Sequence, residues 1–187
     1  MILLGVMLPR ERIVASMSIW VSVYCQKQIG RINPLDMTAG IKDRLDCFSD
    51  FFAQEDPEDV LARLRVDEPR NDDDSQMLHL HYLEDGPPIV ITRLADQEVV
   101  SGEVQEYLEE RFHDREGEEA TLVREHLAKS VEILHFCLKQ RHADSMGTPL
   151  VYAAAAWLAK QGNALLRAQE QGWMELDGGE WFILCPE

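Results

Sequence analysis

Two histidines, His79 and His81, are the residues of this chain whose type and spacing most directly suggest chemistry. They alternate with apolar Leu78, Leu80 and Tyr82, a pattern typical of a β-strand. Side chains two positions apart in a strand point to the same face, so both imidazoles would be available to one zinc or iron ion. They are the candidate metal ligands, although the sequence names no third. The simpler interpretation is that they belong to the polar face of a half-exposed sheet.

Two Glu-x-x-His pairs have the spacing by which di-iron helical bundles present a carboxylate and an imidazole. The pairs are Glu110 with His113 and Glu132 with His135. Both lie outside the apolar stripes of the helices predicted for these segments, so we expect them to face water. No cofactor is predicted from either pair.

The remaining motif search finds no established catalytic or cofactor signature. The sequence contains no G-x-S-x-G, no G-x-x-x-x-G-K-[ST] and no G-x-G-x-x-G. The four cysteines, Cys25, Cys47, Cys137 and Cys185, are widely spaced without a CxxC pair, which disfavours a zinc ribbon or a redox dithiol. We therefore predict no catalytic residues, and we expect the cysteines to be buried free thiols in a reducing cytoplasm.

The charge balance limits the choice of partner. With 34 acidic and 18 basic residues, the 187-residue chain has a net charge of −16. This charge repels nucleic-acid backbones and anionic lipid surfaces, and it attracts a basic protein. No run of 18 apolar residues is present, so we predict no membrane-spanning helix.

The acidic residues form four clusters, three of them in or beside predicted loops. The candidate partner-binding residues are Asp67, Glu68, Asp72, Asp73, Asp74, Glu84, Asp85, Asp114, Glu116, Glu118 and Glu119. We expect the loops at 67–75 and 114–119 to face a partner, with Trp20, Trp173 or Trp181 as an aromatic anchor where exposed. Solvated acidic loops without a partner are the simpler alternative.

The elements that position these residues predict an α+β fold with a mixed, mainly antiparallel sheet of about five to six strands and about five helices. The predicted strands are an interior strand at 18–25, a hairpin at 77–82 and 89–94, and a meander at 164–168, 173–176 and 180–185. Residues 164–171 also fit a continued helix, and the glycine-rich turns favour the meander.

The helices are predicted from start signals and apolar spacing. They run from Asn33-Pro34 to about Phe52, from Asp56-Pro57 to Leu64, over 97–114, over 118–142, and from Thr148-Pro149 to about Gly162. Residues 1–16 are interpreted as an upstream extension before a start at Met17, and residues 17–187 as a single α+β domain.

Size, acidity and the lack of a catalytic motif favour a cytoplasmic binding protein. The leading hypothesis is a non-catalytic immunity or inhibitor protein that neutralises a basic bacterial toxin. One alternative is a metal-dependent or other small-molecule enzyme, which would use His79 and His81 in the sheet. Another is a nucleic-acid mimic, which would need its acids aligned on one face.

Overall fold

The computed structural model describes residues 18–44, 56–69, 76–143 and 145–186. Their elements are β1 (Ser18–Cys25), α1 (Pro34–Lys42), α2 (Pro57–Arg63), β2 (Arg65–Asp67), β3 (Met77–His81), β4 (Ile89–Leu94), α3 (Gln97–Glu110), α4 (Glu118–Leu127), β5 (Glu132–Lys139), α5 (Gln140–Ala143), α6 (Gly147–Gly162), β6 (Ala164–Ala168), β7 (Gly172–Asp177) and β8 (Glu180–Cys185). The proposed extension at 1–16, the end of the first predicted helix, Cys47 and Asp72, Asp73 and Asp74 lie outside the described residues.

The described strands form one antiparallel sheet in the order β2-β3-β4-β5-β1-β6-β7-β8. The predicted α+β class is confirmed, with two more strands than the larger expected number. The predicted interior strand is β1, which lies between β5 and β6. The predicted C-terminal meander forms β6, β7 and β8.

One face of the sheet packs against α1, α2 and α6. Strand side chains such as Val23 and Phe136 meet Met37 of α1 and the alanine run of α6 in the larger of two buried cores. The small alanines let α6 approach the sheet closely. The contact between α1 and α6 is equally close, because a Cβ atom at Gly40 would lie 2.0 Å from the indole of Trp157.

The opposite face carries α3 and α4 over only part of its area. Their apolar residues, among them Val100 and Val123, pack on Tyr24, Ile133 and Trp173 in a second buried core. Because side chains alternate along each strand, every second residue of the sheet faces this side. The part of this face that α3 and α4 leave uncovered contains the candidate site.

The helix predicted over 118–142 is wrong in its second half. The helix α4 ends at Leu127, and residues 132–139 form the central strand β5. A strand buried on both faces has a nearly continuous apolar sequence, and in this segment the apolar residues also match helical spacing. The β-branched and aromatic residues of this run, Ile133 and Phe136, favour the strand.

The short elements β2 and α5 also differ from the predicted ones. Asp67, predicted to begin a loop, is the last residue of the short strand β2, where Val66 is buried opposite Leu80. A one-turn helix, α5, follows β5 directly. Among the described residues, no helix is both long enough and apolar enough to cross a membrane.

Candidate functional site

A cleft of about 750 Å³ opens where α3 leaves the second face of the sheet uncovered. It is lined by Trp20, Ser22, Tyr24, Glu103, Glu106, Tyr107, Glu110, Arg111, His135, Arg167, Gln169 and Glu170. We call this the acidic cleft, because the four glutamates of its lining outnumber the two arginines. Its floor comes from the strands β5, β1 and β6, and its wall comes from α3.

The floor of the acidic cleft follows from strand register. Ser22 in β1 pairs with His135 on one side and with Arg167 on the other, so the three side chains stand in one row across the sheet. Trp20 lies two residues before Ser22 on the same face and is 45% exposed. It therefore stands beside the polar row as an open aromatic surface.

The wall of the acidic cleft follows from helical spacing. Glu103, Glu106, Tyr107 and Glu110 are three or four residues apart and therefore share one side of α3. The Asp96 side chain caps this helix by accepting hydrogen bonds from the amides of residues 98 and 99. The cap fixes the start of α3, and the spacing places its glutamates in a column along the side that lines the cleft.

A hydrogen-bonded relay connects the floor and the wall. His135 Nε2 lies 2.8 Å from Glu103 Oε1, and His135 Nδ1 lies 2.8 Å from Ser22 Oγ. When the ring is neutral and its Nε2–H donates to the Glu103 carboxylate, its Nδ1 accepts a hydrogen bond from the Ser22 hydroxyl. The order serine, histidine, acid is that of a nucleophilic triad, with the two ring nitrogens exchanged relative to the serine-protease arrangement.

The relay exposes its acid more than its serine. Ser22 is 5% exposed, whereas the side chain of Glu103 is 32% exposed. Ser22 also lies inside an interior strand, where its amide belongs to the sheet ladder and is not directed at an oxyanion. The arrangement is therefore better suited to holding a carboxylate in a fixed position for a cationic group than to nucleophilic attack.

Two tyrosines, Tyr24 and Tyr107, lie at the inner end of the acidic cleft. Burial, reinforced by the negative charge of Glu103, raises the pKa of Tyr24 far above its ordinary value. The guanidinium of Arg167 lies 4.7 Å from the ring centre of Tyr107, and Trp173 Nε1 donates to the Tyr107 hydroxyl at 3.0 Å. These contacts fix the inner end, and the side chains of Glu106 and Glu110 lie exposed at the open end.

The two candidate metal ligands lie on the same face of the sheet, near its β2 edge. His79 and His81 are joined there by Asp67, and one ligand atom from each residue lies within 4.8 Å of the other two. His81 Nε2 is 3.1 Å from an Asp67 carboxylate oxygen, and His79 Nδ1 is 3.9 Å from the other. Asp67 is therefore the residue whose carboxylate is placed to complete a group of three candidate ligands, which the sequence did not name.

The Glu-x-x-His pairs do not form helical metal sites in the described structure. Glu132, expected to face water, is 0% exposed at the start of β5, where it accepts a hydrogen bond from the Ile29 amide at 2.8 Å. Residues three apart in a strand point to opposite faces, so Glu132 and His135 are separated. In the other pair, Glu110 lines the acidic cleft and His113 contacts Asp114.

The described acidic clusters do not converge on one surface. Asp67 and Glu68 lie at the β2 edge of the sheet, where Arg31 pairs with Glu68 at 2.5 Å. The segment from Asp114 to Glu119 leads into α4 and includes its first two residues, and α4 packs near β8 at the opposite edge, roughly 30 Å away at the usual spacing of strands. The turn with Glu84 and Asp85 joins β3 to β4. A single row of acids, as a nucleic-acid mimic needs, is not formed by these clusters.

The three proposed tryptophan anchors differ in exposure. Trp173 is buried and Trp181 is half-buried, with its Nε1 donating to the Tyr152 carbonyl. Trp20 is the exposed tryptophan of the three, and it lies at the acidic cleft.

Sequence reasoning missed the relay for one physical reason. Ser22 and His135 meet only because β5 is a strand beside β1, and that segment had been assigned to a helix. The available signal was the β-branched and aromatic content of the run from Val131 to Leu138. Helical spacing places Glu103 on the same side of α3 as Glu106 and Glu110, but it does not predict which strands lie opposite that side.

Comparisons with known protein families, with curated proteins and with solved structures found no match to this chain.

Proposed function

We infer that this protein is a cytoplasmic, non-catalytic binding module of the immunity or inhibitor kind, and that it holds a basic side chain of its protein partner in the acidic cleft. The observation that carries the proposal is the exposed indole of Trp20 beside a cleft with four carboxylates. Tryptophan is one of the residues enriched in interface hot spots, and an indole that is exposed in the free protein is available for a partner to cover.

The charges of the acidic cleft favour a cation as the ligand. Glu106, Glu110 and Glu170 are exposed at the cleft, and Glu103 is held by His135. Of the two arginines, Arg167 already stacks on an aromatic ring. An arginine or lysine of a partner would meet carboxylates on one side and the face of the Trp20 indole on the other.

The whole-molecule charge favours a protein as the source of that cation. A net charge of −16 raises the encounter rate with a basic macromolecule and contributes much less to the binding of a small monovalent ion. The docking surface proposed is thus the acidic cleft, in place of the separate acidic loops expected from the sequence. The expected class of partner is unchanged, a basic toxin-like protein, for which the products of neighbouring genes are the first candidates.

The proposal is tested with a tri-arginine peptide, followed through the indole N–H resonance of Trp20 at physiological salt. Glu106→Gln with Glu110→Gln should weaken peptide binding about five- to tenfold, because two exposed charges are lost from the site. Glu118→Gln with Glu119→Gln removes the same charge from the first turn of α4, outside the cleft, and should change the affinity less than twofold. Equal weakening in both variants would mean that only the general field of the protein attracts the peptide.

The relay gives a second candidate, a serine hydrolase, which the same protein can test. A fluorophosphonate probe labels an activated serine covalently. Under the binding proposal Ser22 stays unlabelled, and Ser22→Ala binds the tri-arginine peptide within twofold of the unsubstituted protein. Stoichiometric labelling that is lost in both Ser22→Ala and His135→Gln would favour the hydrolase instead.

A further inference from the structure

The group of Asp67, His79 and His81 is built by the pairing of two strands. Asp67 in β2 lies directly opposite His79 in β3, and His81 follows two residues later on the same face. The residues therefore converge because of backbone register, independently of any flexible loop. Their ligand atoms lie within 4.8 Å of one another.

The distances are close to those of a coordination sphere. Ligands bound at about 2.1 Å to a first-row divalent ion are separated by roughly 3 to 3.5 Å. The contact of 3.1 Å between His81 and Asp67 already has this length, and the contact of 3.9 Å between His79 and Asp67 needs only a small side-chain rotation.

The Nε2 atom of His81 has an unusual environment for an imidazole nitrogen. It is shielded from solvent, and it makes no hydrogen bond of acceptable geometry even though Asp67 is 3.1 Å away. A buried polar atom without a hydrogen bond costs free energy unless another partner binds it. The nitrogen lies within the group of three ligands, where a metal ion would be that partner.

The site is open on its outer side. The side chains of Asp67, His79 and His81 remain 48%, 26% and 20% exposed, so water or another ligand has access to a fourth position. Among the described residues, the arginine paired with the group is Arg65, which lies 3.9 Å from Asp67 and is itself 64% exposed, so it can move into solvent.

We propose that Asp67, His79 and His81 form a binding site for one first-row divalent metal ion, with zinc as the reference metal. A set of two imidazoles and one carboxylate binds zinc, cobalt or iron in preference to magnesium or calcium, which favour oxygen ligands. The site is independent of the acidic cleft. The row His79, Val90, Cys137 and Trp20 separates the two by three strand spacings, or about 14 Å.

The test is zinc titration of untagged, metal-free protein by calorimetry, together with the visible spectrum of the cobalt complex. The unsubstituted protein should bind one zinc ion. Asp67→Asn, His79→Gln and His81→Gln should each weaken zinc binding at least about tenfold, since each removes a direct ligand. His113→Gln is the matched control, because His113 also lies beside an aspartate, at 3.0 Å, but has no third ligand in the described structure.

Circular dichroism of each metal-free variant identifies any that fails to fold, and the three ligand variants provide independent tests. The cobalt spectrum should show ligand-field bands without a thiolate charge-transfer band, since no cysteine belongs to the site. Lack of stoichiometric zinc binding, unchanged affinity in the folded ligand variants, or a thiolate band would each overturn the proposal. None of these results depends on peptide binding at the acidic cleft, so the two proposals can fail separately.

Discussion

Glu132 is a fully buried carboxylate at the start of β5, and it joins three segments of the chain. It pairs with the guanidinium of Arg93 in β4 and accepts a hydrogen bond from the Ile29 amide at 2.8 Å. The side chain of Arg93 is itself only 14% exposed. Removing one member of such a pair leaves the other charge buried without its partner, which is the costly case for an internal ion pair.

We predict that Glu132→Gln lowers the free energy of unfolding by about 3 kcal/mol, because the charge of Arg93 is then uncompensated. Urea denaturation measures the change. Arg93→Met combined with Glu132→Gln should cost clearly less than the sum of the two single substitutions, since both charges are gone. Strict additivity of the two effects would show that the pair is not energetically coupled.

At the residue scale, the sequence identified chemical types better than it identified neighbours. His79 and His81 were recognised as a strand pair, but Asp67 was not, because its position opposite His79 depends on pairing between β2 and β3 across a segment of nearly ten residues. Glu132 was expected in water for a related reason. Its environment is decided by strands that are distant in sequence, which composition and spacing do not encode.

At the scale of elements, two glycines in helices have opposite roles. Gly40 in α1 lies against the indole of Trp157 in α6, and a Cβ atom there would be 2.0 Å from the ring. Gly102 in α3 has no atom within 4 Å of the corresponding position. The first glycine therefore permits close helix packing, whereas the second only lowers helix propensity.

Gly40→Ala should destabilise the protein by about 2 kcal/mol, because the clash with Trp157 outweighs the gain in helix propensity. Gly102→Ala is the matched substitution and should stabilise the protein by about 0.5 to 1 kcal/mol. Thermal and urea unfolding of both variants provide the measurement. If Gly40→Ala proved as stable as the original protein, α1 and α6 would not be packed as closely as described.

Elements with a local signal were predictable. The pair Asn33-Pro34 predicts the start of α1 from sequence alone, since asparagine favours the N-cap and proline the first helical position. In the structure the Asn33 side chain accepts a hydrogen bond from the Leu35 amide, as this pair predicts. The strand β5 was not predictable in this way, since a strand buried on both faces lacks the alternation that distinguishes strands from helices. That one error hid the relay, because His135 reaches Ser22 only from a strand.

At the scale of the whole molecule, the acidity and the buried core act on stability in different ways. The net charge of −16 is distributed over the surface and is screened by salt. Histidines that are partly or fully buried, such as His126 and His142, act locally. Partial burial lowers the pKa of His126 below its ordinary value of 6.5, even though its Nε2 lies 2.8 Å from the Tyr24 carbonyl oxygen, a contact that favours the protonated ring. Burial together with Arg141 lowers the pKa of His142.

The sign of the pH dependence follows from these lowered values. Above about pH 6.5 His126 is neutral in both the folded and the unfolded chain, so its contribution to the free energy of unfolding does not change with pH. Below that pH the unfolded chain binds a proton that the folded protein does not, and each such histidine costs about 1.4 kcal/mol per pH unit until the folded pKa is reached. Stability from this source is therefore present at neutral pH and is lost on acidification.

We predict that the difference in unfolding free energy between the original protein and His126→Gln falls from pH 7.5 to 5.5, by at most about 1 kcal/mol, because the pKa of His126 is lowered in the folded protein. Urea denaturation at both pH values gives this difference, and the protonation of surface carboxylates cancels because both proteins share it. In 0.5 M salt the distributed field is screened to within about 4 Å, whereas desolvation of one buried ring is not. A difference that shrinks with pH at both salt concentrations assigns the effect to burial of His126. A pH effect that disappears in high salt would assign it to the surface charge.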